Sequence, residues 1–235
     1  MTDADDQTHP RVSPAIQPSP IVQRFGGAEG NERLTAMTGA VLLILLVVEC
    51  YTILRIGRLL TLHVFLGMLL LGPVTLKAAL VIYRFGRYYT GSAPYRRKGP
   101  PAPLLRLIGP IIVLLTACVF GSGIMLAVSG PGYGPPSGWF MVHRLSFIAW
   151  AFFIVIHVLA YTPRLPRLLV AEARGTSLPE GETGLDARAG RHARRAVEIV
   201  GGRGTRLTLL IASVLGGLVI ALLTVHLAGA WEALG

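Results

Sequence analysis

The chain has 235 residues, 52% of them hydrophobic and 14% charged, with a mean hydropathy of +0.59, which is more apolar surface than a soluble domain of this size can hide. The composition points to a polytopic membrane protein. The formal charge of +10 is concentrated between apolar runs, so it reads as membrane topology and contact with anionic lipid, and argues against nucleic-acid binding.

Residues 1–32 are polar, rich in Pro and Asp, and lack the apolar core and cleavage site of a signal peptide. They are expected to form a disordered cytoplasmic tail. Five apolar stretches follow, at 34–54, 59–83, 104–128, 139–161 and 207–228. Each reaches the ~20 residues a bilayer-spanning helix needs. Backbone polar groups in lipid must be satisfied within their own segment, which makes all five helices. The expected fold is an all-α integral membrane protein: a four-helix bundle over residues 33–163, a basic loop at 164–205, and a fifth span with a short outer tail at 206–235.

Short basic connections stay on the cytoplasmic side. The connection after the second span carries Arg84, Arg87, Arg96, Arg97, Lys98 and Arg106 without an acid, and the one after the fourth carries nine arginines from Arg164 to Arg206. Both are expected in the cytoplasm, while the uncharged GPGYGPPSG at 130–138 suits the outer side. Alternation then puts the N-terminus inside and the C-terminus outside a bacterial cytoplasmic membrane. Arg55 and Arg58 run against the rule.

Ionisable residues inside spans are costly and default to functional hypotheses. The second span holds His63 and Lys77, and the fourth holds His143 and His157; each pair is fourteen residues apart. Fourteen helical steps return nearly to the same face and rise roughly 21 Å. The two spans run in parallel, so His63 and His143 share a depth near the outer face, and Lys77 and His157 share one near the inner face. A haem iron takes two axial ligands from opposite sides of its macrocycle, and imidazoles on two facing helices supply them. Gly67, one turn from His63, leaves room for a flat porphyrin. Arg55, Arg58 and Arg144 are candidate partners for its propionates.

The H-x13-H spacing of HRLSFIAWAFFIVIH, 143–157, with His63 on an earlier parallel span, resembles the membrane cytochrome b pattern. The likeness is in particular to the gamma-subunit type of formate dehydrogenases and hydrogenases, over about residues 34–163. The resemblance implies a bundle holding two b haems one above the other, passing electrons between a quinone and a redox partner at the membrane surface. The chain would then be the cytochrome b subunit of an oxidoreductase. His63 and His143 would hold one haem b. A second would need a partner for His157; the first span has no histidine, so Lys77 either ligates as the neutral amine or snorkels toward the cytoplasmic headgroups.

Other residues have plainer expectations. Cys50 and Cys118 read as small buried apolar residues. Gly72-Pro73 is expected to kink the second helix, and Gly121 and Gly123 to allow close helix approach. Trp150 fills the core or packs on a porphyrin. His226 is interfacial or a substitute ligand. Glu49 is an interfacial carboxylate, a partner of Arg55 or Arg58, or an aid to proton uptake at an outer quinone site. The run YRFGRYYTGSAPYRRKGPP, 83–101, is an anchor in anionic headgroups or a quinone or partner surface. ARRAVEIV, 193–200, suggests a short amphipathic helix. Two alternative functions remain: a haem-free membrane scaffold or assembly factor whose cytoplasmic loops dock a partner, and a proton path through His157 and Lys77.

Overall fold

The computed structural model describes residues 26–97, 103–133, 137–175 and 202–232. Regular structure among them is entirely helical: α1 (Gly27–Leu54), α2 (Ile56–Tyr89), α3 (Ala93–Arg97), α4 (Pro103–Ser129), α5 (Gly138–Tyr161), α6 (Leu165–Arg174), α7 (Arg203–Thr224) and α8 (Gly229–Glu232), with 3-10 turns at Pro131–Tyr133, Thr162–Arg164 and Val225–Ala228. Helices α1, α2, α4, α5 and α7 are long and apolar enough to cross a membrane. Along them large apolar side chains stand exposed, Ile44, Leu114, Leu159 and Leu223 each by more than 60%. Such surface is foreign to a soluble monomer and compatible with a multi-pass membrane protein.

Helix starts and stops follow local chemistry. The Ser137 hydroxyl caps α5, accepting from Phe140 N at 3.3 Å. Gly175 closes α6 with φ 66°, a conformation that favours glycine. Between α1 and α2 the chain leaves helical geometry at Arg55 (φ −124°) and again at Leu59 (φ −121°), so reversal takes only a few residues. The helix begins earlier than expected, since 27–32 belong to α1 rather than to the polar tail. The rest of that tail and the ARRAVEIV segment lie outside the described residues.

Helical dihedrals persist through Gly72 and Pro73, and the residue inside α2 that leaves them is Leu59. Gly72 also serves the packing. A Cβ on it would collide with the Ser213 carbonyl, and one on Gly217 would collide with the Leu69 carbonyl. Leu69 is the residue whose carbonyl loses its helical N–H partner to Pro73, and it faces the bare Gly217 backbone. The two glycines thus let α2 and α7 cross in backbone contact.

That crossing organises the packing. α2 lies between α1 and α7, with extensive contact to each, while α4 and α5 pair as a hairpin. The hairpin touches the other helices lightly, mainly from α4 to α2 and to the turn after α7. The fifth span is therefore a core partner of the second, packed more extensively on it than the third is. Met68 and Leu69 of α2, Ala127 of α4 and Ala221 of α7 form the shared apolar cluster. α5 buries none of its residues fully. Cys50 and Cys118, expected to be buried, are both exposed on the outer surface of their helices.

At the opposite end from Arg55, charge is buried. Arg33 of α1 and Arg206 of α7 are both fully buried, and both reach Glu172 of α6, which is 5% exposed. Arg206 grips the carboxylate with Nε at 3.1 Å and with Nη2 at 2.8 and 2.9 Å. Arg33 Nη1 lies 3.4 Å from it and donates to Ala171 O at 3.1 Å, and Arg33 Nη2 binds Glu29 at 2.6 Å. Residues 165–174, expected within a loop, are thus a helix pinned against the first and fifth spans. Arg206, expected as a loop charge, is part of that pin.

Candidate functional site

His63 projects from the first third of α2 and His143 from the first turns of α5. The structure brings their rings to 6.4 Å between centroids, with the planes at 77°. Each ring is held by the same nitrogen. His63 Nδ1 lies 2.9 Å from Glu49 Oε1 and 3.1 Å from Thr52 Oγ1. His143 Nδ1 lies 3.0 Å from the Val119 carbonyl and 3.2 Å from Ser122 Oγ. A carbonyl or carboxylate oxygen only accepts, so Nδ1 carries the proton in both rings and Nε2 keeps its lone pair. Among the described residues neither Nε2 has a hydrogen-bond partner.

The supports around the rings are themselves fixed. Thr52 donates to the Glu49 carbonyl at 2.6 Å, and Ser122 donates to the Cys118 carbonyl at 2.6 Å. Gly123 makes room for the His143 ring, since a Cβ there would come within 3.0 Å of Cε1. Gly121, expected alongside it as a close-approach residue, faces open space. Gly67 stands beside the pair, where a Cβ would lie 3.8 Å from Glu49 Oε1. That is ordinary van der Waals contact, so a side chain at this position is not excluded. Glu49 is 8% exposed, so it is a buried partner of His63 rather than an interfacial carboxylate.

No protein-family model matches the chain, and no curated protein and no solved structure matches it.

Two imidazoles that each keep an Nε2 lone pair are able to ligate a metal-centred group, and their ring centroids stand 6.4 Å apart. No group of three or more His, Cys, Asp or Glu side chains among the described residues is placed to hold a bare ion. A porphyrin brings four equatorial nitrogens of its own, so two imidazoles are all it asks of the chain. The light contact between the α4–α5 hairpin and α2 puts the pair at a loosely packed seam.

The other expected residues fall outside this pair. Arg55, Arg58 and Arg144 are exposed at the same end of the molecule. Lys77 does not run out toward headgroups; its amine turns inward and donates to the Thr35 carbonyl of α1 at 3.0 Å, against Gly39. His157 packs on Tyr161, ring centroids 4.7 Å apart, and lies within electrostatic reach of Lys77. Half-buried Trp150 donates to Thr116 Oγ1 at 2.9 Å, which ties α4 to α5, and stacks on Phe147 of its own helix. His226 is exposed in the turn after α7. In the aromatic and basic run, Tyr95 of α3 is 5% exposed and meets Tyr83 edge-on at 6.1 Å. Burial, reinforced by Tyr83, pushes its phenol up to about 12.

Two features were missed by sequence reasoning. Glu49 lies six residues before Arg55 and His63 eight after it, so a tight reversal there brings them to one depth. Glu172 carried a weaker signal, as an acid in a strongly basic connection.

Proposed function

We propose that the chain is a multi-pass b-type cytochrome of a bacterial cytoplasmic membrane, relaying electrons between a quinone or membrane pool and a redox partner subunit. In this reading the N-terminus is cytoplasmic and the C-terminus outside. The observation that carries it is the ring pair: two imidazoles 6.4 Å apart, each anchored through Nδ1 with Nε2 left to bind. Haem ligation through Nε2 needs Nδ1 protonated and held by an acceptor, as Glu49 and the Val119 carbonyl hold these two rings.

Bound haem b supplies reversible one-electron chemistry. His63 and His143 would hold it through their Nε2 atoms, and Arg55, Arg58 and Arg144 would offer cations to its propionates. Lys77 is engaged by the Thr35 carbonyl, so among the described residues it offers His157 no companion ligand, and one haem per chain follows. The scaffold alternative gives no reason for both rings to present the same free nitrogen. His63→Ala and His143→Ala are each expected to abolish the reduced b-type absorbance while the protein still assembles in membranes; full haem content in both variants would refute the ligand assignment.

A further inference from the structure

Resting on the cytochrome reading, we infer that Glu49 is a positioning residue that sets the redox potential of the His63–His143 site. The two ligands are not equivalent. His143 gives its Nδ1 proton to a neutral backbone carbonyl, Val119 O at 3.0 Å. His63 gives its own to a carboxylate, Glu49 Oε1 at 2.9 Å, on a side chain that belongs to a different helix and is 8% exposed.

A carboxylate on the far nitrogen of a ligating imidazole makes the ring a stronger electron donor and fixes its orientation. The charge also sits where water screens it poorly. Both effects favour the more positive iron state, so Glu49 holds the site at a lower potential than His143's environment alone would give. Thr52 supports this arrangement: its hydroxyl donates to the Glu49 carbonyl at 2.6 Å, lies 3.3 Å from Oε2, and places its oxygen 3.1 Å from His63 Nδ1. Among the described residues, Glu49 is the only acid within the four spans that follow one another from Gly27–Leu54 to Gly138–Tyr161 beyond the first turns of α1. No other carboxylate in those spans is available for the task.

The test is a redox titration of the purified protein, following haem absorbance for wild type, Glu49→Asp and Glu49→Gln, with haem counted in each. Glu49→Gln keeps an acceptor oxygen and removes the charge. It is expected to shift the ferric to ferrous ratio at least roughly tenfold toward the reduced form, about 59 mV upward for one electron. Glu49→Asp, which keeps the charge on a shorter arm, should fall between the other two. An unchanged midpoint in Glu49→Gln with haem bound would overturn the inference and leave the cytochrome reading intact. A wild-type protein without haem would instead overturn that reading. Should Glu49→Gln hold too little haem to titrate, the Asp variant decides: a raised midpoint supports the role and a wild-type value overturns it.

Discussion

Replacing Glu172 with glutamine withdraws a negative charge that faces both Arg33 and Arg206, two fully buried guanidinium groups. The carboxylate receives three contacts of 2.8 to 3.1 Å from Arg206 and one of 3.4 Å from Arg33. Removing one partner of a buried ionic group costs about 3–5 kcal/mol, because the surviving charge remains desolvated. Glu29 still offsets part of the charge on Arg33, which argues for the lower end, about 3 kcal/mol, or roughly 6–12 °C in Tm for a chain of this size. Thermal unfolding in detergent measures it. Converting Arg33, Glu172 and Arg206 together to methionine removes the charges as a set and should cost less than Glu172→Gln alone, since buried ionic groups replaced by apolar ones of similar volume are often near neutral. Equal Tm values for wild type and Glu172→Gln would refute the claim that this cluster pins α6 to α1 and α7.

Gly217→Val should separate α2 from α7, because its Cβ meets the Leu69 carbonyl backbone; a loss of several degrees in Tm is expected, larger than for Gly216→Val, where a Cβ meets nothing within 4 Å. Tyr95 titrates in the fold at about 12, above its ordinary value of 10.0. Its neutral form is the one the fold favours, so its contribution is complete below pH ~10 and fades as pH rises toward ~12. Tyr95→Phe should flatten stability across that window, and a tyrosinate absorbance titration should lose its latest component. Lys77→Met should leave the haem count unchanged, because the amine is committed to Thr35 O; a halved count would restore the second-haem reading.

The five helices long and apolar enough to cross a membrane were legible because length and apolar content alone decide them. The common depth of His63 and His143 was legible too, since helix rise and a tight turn at Arg55 leave little freedom along the axis. Rotation about the axis was not. The spans are apolar almost all round, so no stripe marks an inward face. For the same reason the sequence does not mark the exposed side of Cys50 and Cys118, nor pair Glu49 with His63. The α2–α7 crossing depends on two glycines far apart in sequence, Gly72 and Gly217, which no local pattern pairs. Glu172 was hidden for a related reason: a charge in a basic connection reads as solvated unless the helix carrying it is known to fold back.

The central claim is most directly tested by a pyridine haemochrome count on the purified full-length protein, expressed with ample haem and read beside a dithionite-reduced minus oxidised spectrum. The account predicts sharp b-type bands and one haem per chain. A colourless protein under those conditions would contradict it, and would make the His63–His143 pair a packing contact.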